Sequence, residues 1–188
     1  MPKKTTSSVR SDLKVSEAEG ALLGLILRRE PTNAYQLYKS YERSPVSSIN
    51  SSKGQVYPAL KRLEARGLVK FSKAGKDGEV TEVTATAAGK EAVLQWIRSL
   101  DESLVVIDDP LRTRLLSFEL LSHEQRLEWI ANAKMLVKKR MDVVRSFKEA
   151  TDVPFNELAY VNASSILKAK MDWLDELLFH FVKSGQQT

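Results

Sequence analysis

SSKGQVYPALKRLEARGLVK, residues 51–70, reads as a helix that begins on a serine, shows one apolar face and runs directly into a strand. Val56, Ala59, Leu60 and Leu63 recur at i, i+3, i+4 and i+7, which puts them on one helical face turned toward a core. The other face carries Lys53, Tyr57, Lys61 and Arg62, with Ser51, Ser52 and Gln55 at or near the start. Gly67 ends the helix, since glycine takes the left-handed C′ conformation at no steric cost. Pro58 removes a backbone bond to Gly54, which predicts a slight bend or a late helix start. A polar, basic outward face with a polar first turn suits a rod laid in a DNA major groove. The same face also suits a plain solvated helix, so the flanking chain decides between the two.

Upstream, Ser16 and Glu19 have capping-box spacing and open a helix that runs to Arg29. Leu22, Leu23, Leu25, Ile26 and Leu27 make it apolar almost all round, so more than one side is covered. The surplus predicts a second surface, covered by another domain or another copy of the chain, and Leu22 and Ile26 are assigned to the dimer contact. Pro31 breaks this helix. Thr32 or Asn33 caps the next one, which carries Tyr35 and ends near Glu42. Residues 43–50 read as a loop.

Downstream, residues 68–73 and 80–86 read as two strands joined by a Gly-Lys-Asp-Gly turn. Thr86 caps a helix that runs from Ala87 to about Leu100. The order of three helices, strand, turn, strand and helix is that of a winged helix-turn-helix. In that motif the third helix enters the groove and the hairpin tip reaches the flanking backbone. The chain after residue 101 reads as helical and coiled-coil-like. One helix starts at Asp109-Pro110 and runs through Leu121; a second, capped by Ser122 with Gln125, runs to about Ala150. A third runs from Phe155 to about Lys183, roughly 43 Å at 1.5 Å per residue. Its wide apolar face holds Phe155, Leu158, Ile166, Trp173, Leu174, Leu177 and Phe181. Helices this long do not bury one another fully in one small domain, so these residues are expected to dock on a second copy; a self-contained helical hairpin capping the first domain is the competing reading. The fold expected is therefore mainly α. A basic arm spans residues 1–14, a winged helix-turn-helix 15–101, and a helical dimerisation domain 108–184.

Charge is uneven along the 188 residues. Residues 1–100 carry 17 Lys and Arg against 10 Asp and Glu, whereas residues 101–188 carry 12 against 14. A basic first half suits a polyanionic partner. The chain has no cysteine, and its first 14 residues lack the apolar core of a secretory signal. No stretch approaches the roughly 20 apolar residues of a membrane span, so the cytoplasm is the expected compartment. His123 and His180 stand far apart with no metal-ligand spacing. No phosphate loop, dinucleotide fingerprint or nucleophile elbow occurs, so neither enzyme, cofactor nor metal is expected.

Ser52-Lys53-Gly54-Gln55-Val56-Tyr57-Pro58-Ala59-Leu60, continued by Leu63-Glu64 and Gly67-Leu68-Val69, resembles the signature of the PadR family of bacterial transcriptional regulators. Ala21-Leu22-Leu23-Gly24-Leu25 is similar to that family's first helix, and Ala88-Gly89 to its turn after the wing. The resemblance covers about residues 16–100. It departs at Ala34-Tyr35, where the family has Gly-Tyr, and at Val83 and Ala85, where an aromatic and a leucine are usual. It implies a homodimer, usually a repressor on a palindromic operator, that some members leave on binding small aromatic or other hydrophobic molecules. A phenolic effector is the ligand class implied; the site expected for it is a pocket between the two domains near Trp96, Trp129 or Trp173, with plain core packing as the competing reading of these tryptophans. The DNA contacts expected are Tyr35, Ser51, Ser52, Lys53, Gln55, Tyr57, Lys61 and Arg62, with Lys73 and Lys76 on the wing. A winged-helix module that binds proteins or effectors without DNA is the alternative reading.

Overall fold

The structure, a computed structural model, describes residues 13–44, 53–74, 80–151 and 153–184. The chain divides into two compact units between Val105 and Val106. Residues 1–12 of the expected arm, Ser51, Ser52 and Lys76 lie outside the described residues, as does the side chain of Lys53; Leu13, placed in the arm by the sequence reading, packs instead against the core of the first unit.

The first unit runs α1 (Glu17–Arg29), α2 (Ala34–Arg43), α3 (Lys53–Ala65), β1 (Val69–Ala74), β2 (Val80–Ala85) and α4 (Ala87–Arg98). Its helix starts are set by side chains that occupy orphan backbone amides. Ser16 and Glu19 close a reciprocal capping box on α1. Asn33 accepts from the Gln36 amide at 3.0 Å, and Thr86 from the Gly89 amide at 3.1 Å. Asn33, not Thr32, is thus the cap of α2. Pro58 lies inside α3, which begins at Lys53, so the late start does not occur. Gly67, at φ 67°, ends this segment in a Schellman arrangement. The Leu68 amide reaches the Leu63 carbonyl at 2.9 Å and the Gly67 amide reaches Glu64 at 2.8 Å.

β1 and β2 pair antiparallel, with Phe71 opposite Val83 and Lys73 opposite Thr81. Thr32 adds a further rung: the Val83 amide donates to its carbonyl at 2.7 Å. Leu23, Ile26, Leu37, Leu60, Leu63, Leu68 and Val83 form the buried centre. Each such leucine stabilises the unit by about 2 kcal/mol through removal from water.

The expected outward surplus on α1 is absorbed at home. Leu22 is 3% exposed and Ile26 0%, both inside this core. The physical reason is position: α1 packs against α2, α4 and β2 at once, so its apolar residues all find neighbours within the unit. Leu22 and Ile26 therefore have no surface to offer a partner.

The second unit holds α5 (Pro110–Leu115), α6 (His123–Ala150) and α7 (Asn156–Ser184), preceded in the chain by a 3-10 turn at Glu102–Val105 and with another at Phe118–Leu120. The single helix expected from residue 110 to 121 is broken. Phe118 turns inward and meets Trp129 edge-on at 4.9 Å, while its carbonyl accepts from Arg126 Nε at 2.8 Å. α6 and α7 form an antiparallel hairpin, with Lys134 paired to Asp175 and Lys148 to Glu157. Ala133 and Val137 pack there against Leu174, flanked by Leu167, Met171 and Leu177.

The expected dimerisation set divides on this hairpin. Leu174 is wholly buried within its own chain, because it faces α6, and is withdrawn from the set. Trp173, Leu177 and Phe181 are half-buried, Phe181 beside the Phe118 ring at 5.8 Å. Phe155, Leu158 and Ile166 are exposed. Phe155 stands just before α7 at φ 61°, a left-handed conformation uncommon for an aromatic residue.

Candidate nucleic-acid interface

The exposed side of α3, the first turn of α2 and the wing strands wall an open cleft of about 420 Å³. α2 contributes Asn33, Ala34 and Tyr35; α3 contributes Tyr57, Leu60 and Lys61; the wing contributes Phe71, Val80 and Thr81. The fold brings these together because α3 buries Val56, Ala59, Leu60 and Leu63 against the core, leaving Gln55, Tyr57 and Lys61 outward. Tyr35 and Tyr57 are both exposed on the two sides of the cleft. Lys61 Nζ lies 5.0 Å from the centre of the Phe71 ring and 3.0 Å from Glu64 Oε2. That ion pair is largely solvated, so it holds the lysine weakly and a phosphate oxygen can replace the carboxylate. Lys39, on α2, stands 5.9 Å from the Tyr35 ring centre and is paired with Glu42 at 2.5 Å. Lys73 is exposed on β1.

Arg62 departs from expectation. Its Nε donates to Glu19 Oε1 at 3.3 Å, and Arg66 Nη1 donates to Glu19 Oε2 at 3.2 Å. One turn of helix separates Arg62 from Arg66, so both face α1 and not the cleft that Tyr57 and Lys61 line. Burial works to raise the Glu19 carboxyl, but the Ser16 amide and the two guanidiniums outweigh it and hold it below its usual value. Arg62 is a partner of Glu19 in this structure, and its place among DNA contacts is withdrawn on that ground. Sequence reasoning took Glu19 for a cap alone and missed Arg66; the signal was an acid on α1 that could face two arginines spaced by four. It also missed Phe71, Val80 and Thr81, which only the hairpin's closure brings to α3.

The arrangement offers aromatic faces, hydroxyls and an ammonium along an open trough. That combination suits a sugar–phosphate backbone with base edges beyond it. It supplies no nucleophile with an adjacent base, and no cluster of potential metal ligands occurs among the described residues. No helix among them is long and apolar enough to cross a membrane. Trp96 packs over Gly20 in the first unit, while Trp129 and Trp173 belong to the apolar cluster of the second.

Residues 22–95 match the family model described as the transcriptional regulator PadR-like family. Residues 22–95 form a PadR-like domain. The family is one of transcriptional regulators, not of enzymes. The fold of the wider chain agrees. PadR of Bacillus subtilis in complex with operator DNA superposes with a TM-score of 0.72 at 18% identity, covering 89% of this chain and 98% of that one. The PadR-like regulator BC1756 of Bacillus cereus gives 0.72 at 16% identity, covering 94% and 99%. PadR of Bacillus subtilis in complex with p-coumaric acid gives 0.71 at 18%, covering 87% and 97%. At these identities the likeness is one of fold: a winged helix followed by a helical extension. The transcriptional regulator YqjI of Escherichia coli is 23% identical over 117 residues, 62% of this chain and 54% of that protein. The chain thus spans about half the length of the curated relatives it matches.

Proposed function

We propose that this PadR-like protein is a sequence-specific DNA-binding transcriptional regulator. It acts as a homodimer, represses from a palindromic operator and is released by a small aromatic ligand. The observation that carries the reading is the cleft in which Tyr35, Tyr57, Lys61 and Phe71 converge on the outward side of α3. In this reading α3 enters the major groove. Gln55 meets base edges, and Tyr35, Tyr57, Lys61 and Lys73 meet phosphates; Ser51, Ser52, Lys53 and Lys76 are assigned to DNA from the sequence alone. Homodimerisation is supported by Phe155, Leu158 and Ile166, apolar side chains left exposed on or beside α7. Trp173, Leu177 and Phe181 extend that contact from their uncovered edges. Two such domains would set their α3 helices about 34 Å apart, matching half-sites one helical turn apart. The ligand arm draws on the p-coumaric acid complex of the Bacillus subtilis protein. The protein then works where the chromosome lies, in the cytoplasm.

The test is selection of bound fragments from the source organism's genomic DNA, with binding followed against salt. The expected result is enrichment of an inverted repeat, with affinity falling steeply as salt rises. Absence of salt-sensitive binding to any fragment would reject the reading in favour of a protein-interaction module. Sedimentation at micromolar concentration should return a dimer; a clean monomer would remove the dimer. Tryptophan fluorescence titrated with phenolic acids tests the ligand, and silence across the panel would remove it.

A further inference from the structure

We propose that Glu19 is a positioning residue. It fixes α3 against α1 and withholds Arg62 and Arg66 from non-specific phosphate contact, thereby setting the margin between operator and random DNA. This rests on the DNA-binding reading above.

Glu19 is only 9% exposed, unusual for a carboxylate on the first turn of a helix. Its two oxygens are divided among three donors. Oε1 takes Arg62 Nε; Oε2 takes Arg66 Nη1 and the Ser16 amide, each at 3.2 Å. Arg66 continues to the Lys14 carbonyl, which its Nη2 reaches at 2.6 Å. The clamp therefore joins the start of α1 to the end of α3 and the turn after it. Apolar contacts from Val56, Ala59, Leu60 and Leu63 hold the middle of α3 against the core, whereas the clamp acts at its end. A hydrogen-bonded carboxylate between two guanidiniums adds a directional tie there.

The second consequence is electrostatic. The Arg62 side chain is 59% exposed although ion-paired, so it needs only to leave Glu19 to reach solvent or a phosphate. Cations that meet any backbone raise affinity for every sequence alike and dilute specificity. Glu19 neutralises one positive charge and engages two, leaving Lys61, among the described side chains of α3, as the cation that lines the cleft.

The experiment compares full-length wild type with E19Q, R62Q, K61Q and the double variant E19Q/R62Q. The probes are a random 30-base-pair duplex and the fragment recovered by genomic selection, each titrated over a range of salt. E19Q is expected to bind random duplex at least about threefold more tightly at low salt, and to steepen its salt slope by about one. The ratio of selected to random affinity should fall. R62Q alone should leave the slope unchanged, K61Q should lower it by about one, and E19Q/R62Q should return toward wild type. Loss of affinity for both duplexes in E19Q, with an unchanged slope, would overturn the proposal by reducing Glu19 to a structural role. Should E19Q not fold, R62Q decides: a slope lowered as in K61Q overturns the withheld arginine, and an unchanged slope upholds it. A wild type that binds the duplexes while the E19Q, R62Q or E19Q/R62Q result fails sinks this inference alone, whereas an unchanged slope in K61Q counts against the cleft as the DNA surface. A wild type that binds neither sinks the DNA-binding reading and takes the inference with it.

Discussion

A β-carbon placed on Gly89 would lie 2.0 Å from the carbonyl oxygen of Leu68. That carbonyl already accepts from the Thr86 amide at 3.0 Å, and the Thr86 hydroxyl donates to the adjacent Gly67 carbonyl at 2.7 Å, so it is held where it is. Thr86, Gly89 and Leu68 thus lock the start of α4 to the chain just ahead of β1. Gly89→Ala must push backbone against backbone, which no rotamer change relieves. The expected cost is about 3 kcal/mol of stability. Urea unfolding monitored by circular dichroism would measure it, and a variant within about 0.5 kcal/mol of wild type would contradict the close approach.

Lys61→Ala should weaken binding to selected and random DNA alike and flatten the salt slope by about one charge. Tyr57→Ala, which removes a neutral side chain from the same face, should lower affinity at every salt concentration and leave the slope alone. Fluorescence anisotropy with labelled duplex at several salt concentrations separates the two. Equal slopes for wild type and Lys61→Ala would place the lysine away from phosphate.

Acid should destabilise both units, with a definite sign. In the second unit, burial raises the Asp109 carboxyl, but the Lys170 ammonium and the Leu111 amide more than offset it and hold it below its usual value. Glu19 behaves likewise in the first unit. A carboxyl lowered in the folded state contributes stability that is complete above its unfolded value, near pH 4, and is lost as pH falls through the folded value. Thermal midpoints should therefore stay level from about pH 7 to 5 with respect to these groups, then drop below about pH 4. Asp109→Asn should be destabilised at pH 7 and show a shallower acid drop. A variant that loses as much stability as wild type between pH 5 and 3 would count against this assignment.

Tyr41 is buried in α2, and burial pushes its hydroxyl up to about 12. Among the described residues that hydroxyl has no hydrogen-bond partner. Tyr41→Phe should accordingly keep the packing and relieve an unmet polar group, raising stability by up to about 1 kcal/mol. A fall in the melting temperature of several degrees would reveal a partner for the oxygen.

Phe155→Asn addresses the turn between α6 and α7. Asparagine adopts the left-handed conformation more readily than phenylalanine, so the hairpin should gain about 1 kcal/mol. The Phe155 ring is 80% exposed, so within its own chain little packing is lost. If the ring docks on a second copy, dimer dissociation measured by sedimentation should become easier, while unfolding of the dissociated chain becomes harder. An unchanged dissociation constant would exclude Phe155 from the contact.

Much of this was legible in the sequence, and the failures have a common cause. Ser16 with Glu19, Thr86 and Ser122 with Gln125 announced helix starts because capping is a local transaction between side chain and backbone three residues apart. The period of Val56, Ala59, Leu60 and Leu63 announced a buried face for the same reason. Periodicity does not say what covers a face. Leu22 and Ile26 looked like surplus because α2, α4 and β2, which enclose them, arrive from distant parts of the chain. Arg62 looked like an outward cation because its partner lies 43 residues away. Thr32 looked like a cap because its bridge to Val83 is non-local. Of the candidate surface, Tyr35, Tyr57 and Lys61 were readable from helix geometry, whereas Phe71, Val80 and Thr81 needed the hairpin to close.

The backbone bridge from Thr32 to Val83 ties two walls of one trough at their base. Thr32 immediately precedes the α2 cap, Asn33, and Val83 pairs with Phe71, so moving the wing away from Tyr35 requires breaking main-chain bonds and not merely rotating side chains. On the DNA-binding reading proposed above, the width of the trough is therefore cast before a duplex arrives. A mould already set spends little entropy on closing and fits poorly around the wrong shape, so discrimination would begin with the contour of the double helix before any base is read.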